Sequence, residues 1–131
     1  MISDARSHIL GLRTVIYRVP DLVRGVEFYT RAFGVAPYFS EPFYAGFQVG
    51  GFEIGLDPDL TNGAPGAAGA TPYFGTDDLD AAVSHFVSSG ATTHEAARDV
   101  GGGIRVATVA DPFGNVIGLI RNPHFDPSAV R

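Results

Sequence analysis

The chain has 131 residues, a formal net charge of −5, 45% hydrophobic residues and no cysteine. That describes a globular protein of one ordinary domain or two small fused modules, without disulfides, thiolate metal sites or a cysteine nucleophile. Nine scattered Lys and Arg leave no basic footprint for nucleic acid. No apolar run nears the ~20 residues that span a bilayer, and "MISDARSHILGL" lacks the regions of a signal peptide. A cytoplasmic protein with neither nucleic-acid nor membrane partners is therefore expected.

The first predicted element is a strand, "LRTVIYRVPDL", that stops at Pro20-Asp21. Asp21 is placed to cap the helix that follows, "LVRGVEFYTRAFG". Leu22, Val26, Tyr29 and Phe33 recur at helical spacing and form its apolar face, and Gly34 ends it. "PYFSEPFYAGFQVGGFEIGLD" then reads as short strands broken by Pro42 and by Gly50-Gly51. The small, flexible stretch "TNGAPGAAGA" is a linker by composition.

After the linker the pattern restarts. "TPYFGTDDL" is a strand ending at a helix cap, and "DAAVSHFVSSG" is a helix with Leu79, Val83 and Phe86 on one face. "THEAARDV", "IRVATVAD" and "NVIGLIRN" are three strand candidates, the first of them weak in strand propensity. Thr14, Asp21, Leu22, Val26 and Tyr29 each fall 57 positions before Thr71, Asp78, Leu79, Val83 and Phe86. "GFEIGL" echoes "GNVIGL", so Gly118 has a twin in Gly55. A cap, a helix and a strand signature repeated in one order point to duplication. The organisation is a first β-α-β-β-β module at 10–60, a linker at 61–70 and a second β-α-β-β-β module at 71–122. Terminal extensions occupy 1–9 and 123–131.

Period-2 alternation assigns strand faces. Val15, Tyr17 and Val19 form one apolar set; Phe52, Ile54 and Leu56, Pro72 and Phe74, and Ile117 and Leu119 do the same in their strands. The opposite faces carry Thr14, Ile16 and Arg18; Glu53 and Gly55; Thr71 and Tyr73; and Val116 and Gly118. This second face holds little charge for a solvent-facing sheet, so it is expected to curve around a ligand cavity. A glycine inside a strand marks close approach by another group, which Gly55 and Gly118 therefore anticipate.

Several side chains bear on chemistry. Glu53 is expected to point into the cavity, where it is either a ligand acceptor or base, or a salt-bridge partner of Arg18. Tyr73 offers an aromatic face and a hydroxyl to a planar ligand, or packs in the core. Tyr38, Phe39, Phe43, Tyr44 and Phe47 form a dense cluster expected to be largely core, with one or two at the pocket mouth or a dimer contact. His8, His85, His94 and His124 have no ligand-spaced partners and read as surface residues. "VGGGI" precedes no helix and carries no Lys-Ser/Thr, so it reads as a hairpin or lid rather than a phosphate cradle.

"VPDLVRGVEFYTRAFGVAP", "TDDLDAAVSHFVSSGA" and "DPFGNVIGLI" together resemble the vicinal oxygen chelate superfamily. That group includes glyoxalase I, extradiol dioxygenases, fosfomycin-resistance enzymes and bleomycin-resistance proteins. The resemblance covers roughly residues 10 to 123. It implies an α+β fold of two tandem β-α-β-β-β modules forming a curved half-open barrel, and a homodimer. Metal-using members place a His at the start of each module's first strand and a Glu in its last. Those positions fall here on Thr14 and Thr71, and on Gly55 and Gly118. All four depart from the metal pattern, so neither metal nor cofactor is expected, and the emptied site is expected to leave room for a ligand.

The functional expectation is a metal-free binder of a small apolar or aromatic molecule. Its site would draw on Thr14, Ile16, Arg18, Glu53, Gly55, Thr71, Tyr73, Val116 and Gly118. The alternative is a metal-independent isomerase or lyase with Glu53 as general base. A metal-dependent glyoxalase or dioxygenase stands third, because its chemistry needs a bound cation.

Overall fold

A computed structural model describes residues 8–130. The first seven residues, most of the expected amino-terminal extension, and Arg131 lie outside the described residues. The first module contains β1 (Thr14–Arg18), α1 (Leu22–Phe33), β2 (Phe39–Glu41), β3 (Tyr44–Val49) and β4 (Phe52–Asp57). The second contains β5 (Tyr73–Gly75), α2 (Leu79–Ser89), β6 (Thr92–Gly101), β7 (Ile104–Ala110) and β8 (Val116–Arg121). A 3-10 turn, Pro127–Ala129, follows.

Each module makes one four-stranded sheet, and the two orders match: β1-β4-β3-β2 and β5-β8-β7-β6. In each, the first strand runs parallel to the last, and the helix makes the crossover. The remaining neighbours are antiparallel hairpins. The fold is α+β, two β-α-β-β-β modules whose open sheets do not close into a barrel.

The helix ends follow from local chemistry. Asp21 accepts a hydrogen bond from the Arg24 amide at 3.1 Å, and Asp78 accepts from the Ala81 amide at 3.1 Å. Each satisfies a backbone donor that the first helical turn leaves free. Gly34 closes α1 in the left-handed region, φ 71°, and its amide bonds the Thr30 carbonyl.

One hydrophobic core runs through both modules. Tyr17, Val19, Phe28, Tyr29, Phe47, Ile54 and Leu56 join Leu79, Phe86, Val109, Ile117 and Leu119 in it. Most of these lie on the faces that period-2 and helical spacing assign to the interior; Phe28, Phe47 and Val109 join them from outside those sets. Fully burying a side chain such as Leu56 contributes roughly 2 kcal/mol. At the module junction Phe33 meets Phe74 and Phe86 edge-on, at centroid distances of 5.0 and 5.3 Å. The Arg31 guanidinium donates twice to the Ser89 carbonyl, at 3.1 and 2.9 Å, joining the carboxyl ends of α1 and α2.

One expectation is corrected. Of the aromatic cluster only Phe47 enters the core; Tyr38, Phe39 and Phe43 are exposed and Tyr44 is half-buried. Phe47 pairs in register with buried Ile54, whereas Tyr44 and Phe39 lie on the opposite face of the same sheet. "THEAARDV" lies within a ten-residue strand, because pairing with β7 overrides its low propensity. That pairing carries register shifts.

Candidate functional site

The face opposite the core is organised by strand register. On the first sheet Thr14 pairs with Glu53 and Glu53 with Gln48; Ile16 pairs with Gly55 and Gly55 with Gly46. Arg18 lies opposite Asp57. On the second sheet Tyr73 pairs with Gly118, and Gly118 with Thr108. The face that the alternation assigned to a cavity is thus continuous within each sheet.

Both strand glycines are covered by tyrosine. A Cβ at Gly55 would fall 2.6 Å from Cζ and 2.8 Å from Cε1 of Tyr44. A Cβ at Gly118 would fall 2.5 Å from Cδ1 of Tyr73 and 2.7 Å from the Pro72 carbonyl oxygen. Real Cβ atoms do not approach that closely, so a side chain at Gly118 would meet the base of a ring and backbone, while one at Gly55 would require the Tyr44 ring to swing aside. The approaching groups come from the chain itself. The expectation that an emptied metal position leaves room is therefore corrected at Gly55 and Gly118.

The open space lies beside these positions. A cleft of about 450 Å³ sits between β1, the linker and the start of β8. Ile16, Arg18, Ala67, Thr71, Asn115 and Val116 are among its lining residues. Four of the expected site residues, Ile16, Arg18, Thr71 and Val116, come together there. Thr14, Glu53, Gly55, Tyr73 and Gly118 do not line it. A wider trough of about 820 Å³ lies elsewhere, between the start of α1 and the β2–β3 turn, and holds none of the expected residues.

Asn115 holds the cleft in shape. Its Nδ2 donates to the Arg18 carbonyl at 2.8 Å and to Asp111 Oδ2 at 2.9 Å, and its Oδ1 accepts from the Gly66 amide at 3.1 Å. One side chain thereby fixes β1, the linker and the β7–β8 turn. Asp111 is buried and also accepts from the Phe113 and Asn115 amides and from the Tyr29 hydroxyl. Burial, reinforced by the Asp111 charge, pushes the Tyr29 phenol well above its ordinary value, so Tyr29 stays a proton donor. The buried Tyr17 hydroxyl donates to the Val116 carbonyl at 3.2 Å, a second tie between modules. No spacing in the sequence marks Asp111 and Asn115 as junction residues; their polarity beside apolar strands is the one signal there.

Arg18 pairs with Asp57 at 2.8 Å, both partly buried, which corrects the expected pairing with Glu53. The parallel register puts Arg18 opposite Asp57 and leaves Glu53 opposite Thr14. Glu53 instead accepts from two phenols: Tyr38 at Oε1, and Tyr44 at Oε2, 2.5 Å away. These bonds, Tyr38 first and then Tyr44, hold the carboxyl below its ordinary value and make it a weaker base. The Gly46–Gly55 cross-strand pair leaves a gap that the Tyr38 and Tyr44 rings fill.

The histidines serve the surface. His85 Nε2 lies 3.1 Å from the Arg31 and Ala32 carbonyls, and His94 Nδ1 is 2.9 Å from Thr108 Oγ1. His124 Nε2 is 2.6 Å from the Gly102 carbonyl, so the "VGGGI" turn between β6 and β7 is tied to the carboxyl-terminal segment.

Residues 8–119 match the glyoxalase/bleomycin resistance protein/dioxygenase superfamily. The chain belongs to that superfamily. An uncharacterized Mycobacterium bovis protein is 30% identical to it, over 74% of this chain and 74% of that one. An uncharacterized Mycobacterium tuberculosis protein is also 30% identical, over 74% of this chain and 66% of that one. The fold matches a glyoxalase-related enzyme from Fulvimarina pelagi with a TM-score of 0.74 and 20% identity, covering 88% of this chain and 90% of that one. It also matches a lactoylglutathione lyase from Agrobacterium tumefaciens, with a TM-score of 0.71 and 20% identity, over 88% and 98% of the two chains.

The metal that some superfamily members use does not fit this donor set. Two of its four positions are glycines covered by phenol rings, and the other two offer neutral threonine hydroxyls. A divalent ion needs imidazole, carboxylate or thiolate donors to offset its dehydration. Exchanging modules between chains draws on the same four positions. Among the described residues, no group of three or more His, Cys, Asp or Glu side chains is placed to hold an ion. No helix among them is long and apolar enough to cross a membrane.

Proposed function

We propose that this superfamily member binds a small apolar or aromatic molecule directly, without a metal, in the cleft between its modules. The observation that carries this reading is the cleft itself. Its volume of about 450 Å³ falls in the range of small-molecule sites. Ile16, Val116 and the alanines of the linker give it apolar surface, while Arg18, held by Asp57, and Thr71 supply polar groups. An apolar wall with few placed polar groups is how such sites combine affinity with orientation. Holding a molecule without converting it is sequestration, and no carboxylate lining the cleft is needed for that role.

Glu53 draws no support here as a general base. It stands outside the cleft lining, and its two phenol donors stabilise the ionised form.

A thermal-shift screen of planar aromatic acids, amides and antibiotics, run in chelator, tests the reading. A ligand at 100 times its Kd adds about 2.7 kcal/mol to stability. Hits should lose their effect in Ile16→Trp, which fills the cleft from a half-exposed strand position. Hits that stabilise Ile16→Trp as strongly as the parent chain would place binding elsewhere.

A further inference from the structure

The first sheet carries a second chemical feature on the same face as Ile16. Tyr38, Phe39 and Phe43 are 57%, 39% and 64% exposed, an unusual concentration of aromatic surface on one short hairpin. Phe39 lies 6.0 Å from Phe43 and 6.3 Å from Tyr44, with ring planes tilted by 56° and 51°. The rings stand as angled walls instead of stacking flat. Tyr38 lies over Gly46 and Tyr44 over Gly55, so both phenols rest on bare backbone beside the Glu53 carboxylate.

We propose that Tyr38, Phe39, Phe43, Tyr44 and Glu53 form a binding site for an organic cation of the quaternary or tertiary ammonium class. Each Glu53 oxygen accepts one phenol hydrogen bond, which leaves further lone pairs and the full negative charge available. Its in-register neighbours, Thr14 and Gln48, are neutral, and among the described residues no basic side chain forms an ion pair with it.

Aromatic faces attract a cation lying within about 6 Å of the ring centre. An alkylammonium is weakly hydrated and gives up water to such walls readily. A small inorganic cation is not, and rings cannot replace its hydration shell. An anion is repelled by Glu53. A neutral apolar group can touch the rings but gains nothing from the carboxylate. The two phenol bonds fix the carboxylate in place, so binding spends little on ordering it. The site does not depend on the cleft, since neither Glu53 nor the four aromatic residues line it.

The test uses choline and its neutral carbon isostere, 3,3-dimethylbutan-1-ol, titrated into the full chain at low salt. The chain has five tyrosines and no tryptophan, so tyrosine ring NMR signals, assigned with Tyr38→Phe and Tyr44→Phe, report on Tyr38 and Tyr44. Choline is expected to shift those signals saturably and to bind at least about fivefold more tightly than the isostere. Glu53→Gln keeps the shape and removes the charge, and should abolish that preference. Wild-type chain alone decides the matter if the variant fails to fold. Equal binding of choline and the isostere overturns the proposal. So does an undiminished choline preference in Glu53→Gln, or no response to tens of millimolar choline, as when a second copy of the chain covers the rings.

Discussion

The Tyr44 ring lies where a Gly55 side chain would otherwise project, with Cζ 2.6 Å from the position of a Cβ. In the other module the base of the Tyr73 ring covers Gly118. In each module the position where the metal-using pattern places a carboxylate is thus a glycine covered by a phenol. Restoring Glu at either position requires its tyrosine to move before any donor atom can face the interior.

The two glycines should not be equally tolerant of alanine. At Gly55 the obstruction is the far end of Tyr44, which can swing aside by giving up its bond to Glu53. At Gly118 it is the base of the Tyr73 ring and the Pro72 carbonyl, which cannot move without the strand. Gly118→Ala should cost about 1–3 kcal/mol, within the range for overpacking, and Gly55→Ala less. Urea denaturation of the two variants checks the order.

Tyr29 and Asp111 should behave as a coupled pair. The hydroxyl donates to the carboxylate across 2.8 Å in a fully buried setting. Tyr29→Phe removes one donor and should cost about 1–3 kcal/mol; Asp111→Ala strips the acceptor from several buried donors and should cost more. A double-mutant cycle should return a coupling of about 1 kcal/mol or more, because the pair bridges the modules. Additive losses would show that the bond contributes little.

Asn115→Ala should loosen the cleft as well as the fold. It removes the ties to Arg18, Asp111 and Gly66 together, at a cost of about 2–3 kcal/mol. Hydrogen exchange should show the change concentrated in the linker and the start of β8, with α1 and α2 protected as before. Uniform loss of protection would mean that Asn115 serves global stability only.

Acid should reveal the Glu53 clamp. Phenol hydrogen bonds hold its folded-state carboxyl below the ordinary value of 4.5. A depressed carboxyl contributes stability above its unfolded value and loses it as pH falls through the folded one. The contribution is therefore complete above about pH 4.5 and fades below it. Because the group is only partly buried, the effect is small. Stability measured from pH 6 to pH 2.5 should fall less steeply in Glu53→Gln than in the parent chain.

Much of this architecture is legible in the sequence. Asp21 and Asp78 mark both helix starts, Gly34 marks a helix end, and period-2 alternation separates core residues such as Ile54 and Ile117 from the opposite face. Cross-strand register is not legible. It decides that Arg18 meets Asp57, that Glu53 is left to Tyr38 and Tyr44, and that Phe39 and Phe47 face opposite ways. Alternation along one strand says which residues share a face but not which neighbours they meet. Strand glycines signal close approach, but the approaching tyrosines lie 11 and 45 residues away in the chain, beyond any local pattern.

The central claim is that the cleft holds its ligand without an ion. The most direct measurement is the affinity of one screening hit, by calorimetry, in excess chelator and again with added Zn, Ni, Mn or Fe. The account predicts the same Kd in every case. Binding that vanishes in chelator and returns with one equivalent of a divalent metal would contradict it.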